Sequence, residues 1–193
     1  MSDEPSRRIE HTVADTGTLV RGEKLRVRRR CWRVLAPKWA HAPLSGAGAA
    51  RHGGRYNLPG MEALYLSEDL LTAVAEYEQE LGIRPGTFCA YEVDVRGVVD
   101  LANDRVRATL RITLEDLLGP WQEIAFVRGE EPLTWTLAQR LQVQGCVGAR
   151  VPSAVLPDAA NLVLWRWNDA PERRVTAHDP LGDLPADQSA WRQ

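Results

Sequence analysis

The stretch GAGAARHGGRYNLPG, residues 46–60, decides between two folds. Read as a phosphate-binding turn, it would open a parallel α/β domain. Read as a loop between two strands, it belongs to an α+β domain. The first reading fails on spacing and on context. Gly46 and Gly48 start a G-x-G-x-x pattern, but Arg51 stands where a third glycine is needed. No apolar strand leads directly into it and no amphipathic helix follows, so the surroundings of a dinucleotide turn are missing. Five of the chain's 15 glycines fall here, beside Arg51, His52, Arg55, Tyr56 and Asn57. A surface turn needs the glycines and the asparagine but not the arginines and the tyrosine. The whole of residues 38–60 lacks periodicity, and a loop that long in a compact domain is either functional or disordered.

Working outward, LRVRRRCWRVLAP (25–37) reads as a strand ending near Pro37, with Val27 inward and its arginines outward as on a sheet edge. EALYLS (62–67) is a second, short strand. Ser67 then opens a helix signature in which Leu70, Leu71, Val74, Tyr77 and Leu81 recur at helical spacing, with Glu68 and Asp69 in the first turn and Gly82 as the stop. FCAYEVDV (88–95) alternates as a strand, and VVDL (98–101) continues it after Gly97. Thr113 caps a short helix over 112–119, and residues 133–145 form an amphipathic helix ending at Gly145. CVGARVPS and NLVLWRW are two late strands. Strand, loop, strand, helix, strand, helices, strand, strand is not a regular βαβ alternation. The expected architecture is a single α+β domain, a central mixed β-sheet flanked by helices. Residues 1–24 are expected to be a flexible tail, 25–168 the catalytic domain and 169–193 a polar C-terminal tail.

Composition narrows the function classes. The chain has 193 residues, 44% hydrophobic and 26% charged, enough for one domain with a real core. No apolar run approaches a membrane helix, and the first residues carry no apolar signal segment. Three cysteines, Cys31, Cys89 and Cys146, are too few and too scattered for a disulfide framework, which points to a reducing, cytoplasmic setting. The net charge is −2. Its basic excess lies in residues 1–57, which suits a phosphate-bearing ligand or a solvated basic face. Direct nucleic-acid binding through RVRRRCWR competes with the sheet reading, which its alternation favours. The spacing of Cys and His residues fits no metal site. No G-x-S-x-G elbow is present, and the cysteines read as structural. Glu76 borders the buried stripe of its helix, and Ser153 follows Pro152 as a turn or cap serine would.

Taken together, the motifs have a familiar order: WRVLAP (32–37), residues 46–60, ALYLS (63–67), TAVAE (72–76), VPSAV (151–155) and NLVL (161–164). In that order they resemble the RES domain, the toxin half of RES–Xre toxin–antitoxin modules, over about residues 26–167. The resemblance implies an ADP-ribosyltransferase-like fold and a toxin that degrades NAD+ at the nicotinamide–ribose bond, by hydrolysis or phosphorolysis, with no metal. It implies an Xre-type helix-turn-helix antitoxin as partner, through which alone the chain would meet nucleic acid. The arginine, glutamate and serine of the family's name map to Arg33 or Arg55, to Glu76 and to Ser153. On this resemblance Glu76 would stabilise positive charge on the ribose. Arg33 and Arg55, with Arg51 in reserve, would grip the pyrophosphate. Tyr56 would stack on the nicotinamide, Gly53 and Gly54 would offer backbone N–H groups to phosphate, Tyr65 would line the substrate site, and Ser153 would touch the ligand or orient Glu76. A mono-ADP-ribosyltransferase acting on a protein is the rival enzyme reading, although transferases often carry an acid where Val74 stands. A non-catalytic NAD+ or ADP-ribose binder is the other alternative.

Overall fold

The computed structural model describes residues 24–79 and 82–189, so the N-terminal tail expected at 1–24 lies outside the described residues except for Lys24. Six strands, β1 (Lys24–Leu35), β2 (Leu64–Ser67), β3 (Thr87–Asp100), β4 (Gly148–Pro152), β5 (Ala160–Leu164) and β6 (Arg173–Ala177), form one mixed sheet. The helices are α1 (Ala47–His52), α2 (Leu70–Glu78), α3 (Asp104–Leu110), α4 (Leu114–Leu118) and α5 (Leu133–Val143). The chain is thus the expected α+β domain with helices against a central mixed sheet.

The strand order β1-β2-β5-β4-β3-β6 closes on itself, because β1 also pairs with β3 along its whole length. Only the β3–β4 pair is parallel among the described strands. β1 is therefore no edge strand, as its alternation had suggested. β3 lies on one side of it, and on the other a single pair, Trp32 with Ser67, joins it to β2. Arg26, Arg28, Arg29 and Arg30 of β1 are exposed and acids meet three of them, whereas Arg33 is partly buried. Arg26 is bonded to Asp94 and Arg30 to Glu92 across the strand pair, and Arg29 pairs with Glu68. Much of the local basic run is thus matched by acids, from β3 for Arg26 and Arg30 and from Glu68, just past β2, for Arg29.

Alternation within the strands builds two cores. Leu64 and Leu66 of β2 and Leu162 and Leu164 of β5 pack with Cys31, Tyr91, Val93 and Val95 inside the closed sheet. Their neighbours on the other face, Val163 and Trp165 with Ala149 and Val151 of β4, meet Leu117, Leu137, Ala138 and Leu141 of α4 and α5. Each fully buried leucine contributes about 1.5–3 kcal/mol over leaving it exposed.

Several boundaries differ from the sequence reading. Residues 47–52, inside the expected loop, form α1, since alanines tolerate a helical turn even between glycines. Ser67 ends β2 rather than capping the helix. The cap is Asp69, whose carboxylate accepts from the Thr72 N–H and hydroxyl. The two expected strands, 88–95 and 98–101, are one long β3 (Thr87–Asp100), in which Gly97 takes φ +94° where the partner changes from β6 to β4. The C-terminal segment is not merely a polar tail. Residues 173–177 add β6 to β3, burying Val175.

Candidate active site

The 46–60 loop turns out to be held rather than holding. Asn57 is fully buried, and its amide donates to the carbonyls of Ala49, Leu58 and Met61 while its oxygen accepts from the Tyr65 hydroxyl. The same hydroxyl accepts from the Tyr56 N–H at 3.0 Å. Two indoles reach in from far along the chain, Trp135 to the Gly54 carbonyl at 2.7 Å and Trp165 to the Tyr56 carbonyl at 2.9 Å. Arg55 donates to the carbonyls of Leu117 and Gly119 at the end of α4. Burial lowers its pKa against the opposing influence of Tyr56, Glu76 and Tyr65.

These contacts correct two expected roles. The N–H of Gly53 is bonded to Ala49 and that of Gly54 to Asn57, so neither is free for a phosphate. A side chain at Gly54 would come within 2.6 Å of both Asn57 Oδ1 and Tyr65 Oη, which explains the glycine by close packing. Tyr56 is 2% exposed and packs in the helix-side core, so its ring is not presented to a ligand.

Next to this knot lies a cleft of about 300 Å³ bounded by β1, β2, α2 and the 84–86 turn. Arg33, Tyr65 and Glu76 line it, with Trp32, Ser67, Tyr77, Arg84 and Asn161. Strand parity explains the grouping: Tyr65 and Ser67 face the same side of β2, and the partner of Ser67 on β5 is Asn161. Glu76 sits on α2, which packs over β1 and β2. Its Oε1 accepts from Ser153 Oγ at 2.8 Å and from Asn161 Nδ2 at 2.6 Å. Asn161 is itself oriented by the Ser67 hydroxyl, which donates to its Oδ1 at 2.7 Å. Ser153 is oriented by the N–H groups of Val155 and Leu156, both donating to its Oγ at 3.1 Å. Both side-chain bonds fall on one oxygen of Glu76, so Oε2 stands outside this network.

Arg33 is fixed at the other wall. Its Nη1 donates to the Ser45 carbonyl at 3.2 Å, and Tyr91 Oη donates to the neighbouring Pro43 carbonyl at 2.9 Å. Burial is the main cause of its lowered pKa. The structure therefore brings Arg33, Tyr65, Glu76 and, behind the carboxylate, Ser153 together. Arg55 lies near enough to interact with the charge of Glu76 but is tied to α4, and Arg51 stands exposed on α1, outside the cleft lining. Sequence reasoning missed Asn161, Ser67, Trp32 and Arg84. The Asn161 signal was present, as a polar residue at the head of the apolar run NLVL. Among the described residues no group of three or more His, Cys, Asp or Glu side chains is placed to hold a metal ion, and no helix is long and apolar enough to cross a membrane.

The RES domain model matches residues 30–187, most of the chain and all of its strands after the first half of β1. The chain belongs to the RES domain family. In three dimensions it is similar to a chain of the crystal structure of the M. tuberculosis MbcT–MbcA toxin–antitoxin complex. The TM-score is 0.59 and the identity 20%, over 81% of this chain and 84% of that one. At that identity the likeness is one of fold. No curated protein matches the chain by sequence.

Proposed function

We propose that this chain cleaves NAD+ at the nicotinamide–ribose bond and acts as the toxin of a type II toxin–antitoxin pair. The observation that carries the reading is Glu76, a cleft carboxylate held through one oxygen by Ser153 and Asn161. As the C–N bond breaks, its electron pair goes to nicotinamide, and positive charge gathers on the ribose. A preoriented carboxylate in a cleft stabilises that charge at little reorganisation cost. Two neutral donors on Oε1 orient the group without cancelling its charge, which leaves Oε2 for the ribose. The oxygen of water, or of inorganic phosphate, then bonds to the ribose carbon. Water gives up a proton and yields ADP-ribose; phosphate yields ADP-ribose 1-phosphate. Arg33 lines the cleft and would add positive charge toward the pyrophosphate, whereas Arg55 is committed to α4. Ser153 is a positioning residue.

Family membership and the fold shared with a chain from a toxin–antitoxin complex support a toxin role. The partner it calls for is an Xre-type helix-turn-helix antitoxin, and the place of action is the NAD+-containing cytoplasm. The test is nicotinamide release from NAD+ by the purified chain, with and without phosphate. Release in either buffer that is abolished by Glu76→Gln is expected. No NAD+ loss in both buffers, or full activity in Glu76→Gln, would overturn the reading, and a labelled protein band would move it to protein ADP-ribosylation.

A further inference from the structure

Arg84 lines the same cleft but takes no part in the network that holds Glu76. It lies in the turn that follows α2, and three contacts build that turn against Tyr77. The guanidinium carbon of Arg84 sits 4.2 Å from the centre of the Tyr77 ring. The Tyr77 hydroxyl donates to the Pro85 carbonyl at 2.8 Å. Gly86 packs so closely that a side chain there would meet Val34 at 2.6 Å and Tyr77 at 3.1 Å. Stacking on an aromatic face fixes a guanidinium plane while leaving its N–H groups directed outward.

Those N–H groups are short of acceptors. Among the described residues the guanidinium makes one bond, from Nη2 to the Tyr77 carbonyl at 3.4 Å, and no ion pair. Its Nε is buried with no partner. Buried donors are normally satisfied, so this guanidinium carries unused donor capacity at the cleft wall. The charged residues lining the cleft are Arg33, Arg84 and Glu76, a balance of one positive charge. Arg33 spends Nη1 on two backbone carbonyls, Pro43 and Ser45, whereas Arg84 makes one long bond, from Nη2 to the Tyr77 carbonyl.

We infer that Arg84 is the principal anion-binding side chain of the cleft, a fork for a phosphate oxyanion supplied by the substrate's pyrophosphate or by free phosphate. The inference deepens the reading above and rests on the cleft accepting a phosphorylated nucleotide. Two N–H groups in a fixed plane match two phosphate oxygens, and charge-assisted bonds of this kind are the strong ones.

The test compares the wild type with Arg84→Ala and Arg84→Lys on NAD+ and on nicotinamide riboside, which has the same scissile bond and no phosphate. In phosphate-free buffer the ratio of kcat/KM for NAD+ to that for nicotinamide riboside should fall about tenfold to a hundredfold in Arg84→Ala, with partial recovery in Arg84→Lys. A loss seen only in the phosphate concentration that half-saturates the rate would assign the anion to free phosphate. An unchanged ratio together with an unchanged phosphate dependence would overturn the inference. Calorimetry separates it from the parent reading. If the wild type shows no turnover, binding of ADP-ribose and of inorganic pyrophosphate still scores Arg84. Binding at least tenfold weaker in Arg84→Ala supports the fork; equal affinity in the two proteins, or no binding to either, refutes it.

Discussion

Ser153 and Glu76 offer the sharpest check on the site, because their bond can be measured without any assumption about substrate. Ser153 Oγ donates to Glu76 at 2.8 Å and accepts from two N–H groups. Ser153→Ala removes a hydrogen bond to a carboxylate, about 1.5–3 kcal/mol, and leaves two backbone donors without their acceptor. A total loss of about 2–4 kcal/mol is expected in urea melts near neutral pH. Glu76→Gln keeps an oxygen for Ser153 and Asn161 but turns charged bonds into neutral ones of about 0.5–1.5 kcal/mol. Removing the serine should therefore hurt less once Glu76 is glutamine. The double-mutant cycle should return a coupling of about 1 kcal/mol. A coupling within error of zero would show that the two side chains do not bond in solution, and the pinned carboxylate would fall with it.

Asp69→Ala removes the α2 cap and should cost about 1 kcal/mol in the same melts. The bonds from the Thr72 side chain and backbone depress the Asp69 pKa. Its contribution is thus complete above the unfolded carboxylate value and should fade as pH drops through the folded one, giving a wild-type and variant difference that shrinks in acid. Gly54→Ala puts a methyl group against Asn57 and Tyr65 and should lower stability by about 1–3 kcal/mol, read by thermal melting. Ending the chain before Arg173 deletes β6 and uncovers Val93 and the β3 edge, so the truncated protein should bind a hydrophobic dye and aggregate on warming. Burial pushes the Cys31 thiol up to about 12, and Cys89 and Cys146 are raised for the same reason. A thiol reagent at neutral pH should label all three only after denaturant is added.

What the sequence shows and what it hides follow from the range of the interactions. Strands β2, β3 and β5 were legible because alternation is local and their buried residues are large and apolar. β6 was not, because RRVTA contains one buried hydrophobe between charged and polar residues and gains its place only from the edge of β3. The 46–60 loop looked like a ligand cradle because its glycines and its Arg-Tyr pair are local signals. The partners that explain them, Trp135, Trp165, Leu117 and Gly119, lie more than 60 residues away. Glu76 and Ser153 came from the order of motifs, not from periodicity, since a glutamate at the border of a helical stripe is usually solvated. Asn161 carried no weight alone, because only the pairing of β2 with β5 sets it beside Ser67 and Glu76. Arg84 was invisible for the same reason: stacking on Tyr77 is a property of the turn, not of the residue type.

The ring of strands is joined between β1 and β2 by one residue pair, Trp32 with Ser67, while β1 is stitched to β3 from end to end. Both residues of that narrow join also form part of the cleft wall. The barrel thus has a seam, and the seam runs through the binding site. The hydrogen bonds of the join are those of one pair, while Cys31 of β1 and Leu64 and Leu66 of β2 share the core behind it. Ser67, which closes the sheet there, also donates to Asn161, the residue that bonds Glu76. Closure of the strand ring and the setting of Glu76 thus depend on one serine.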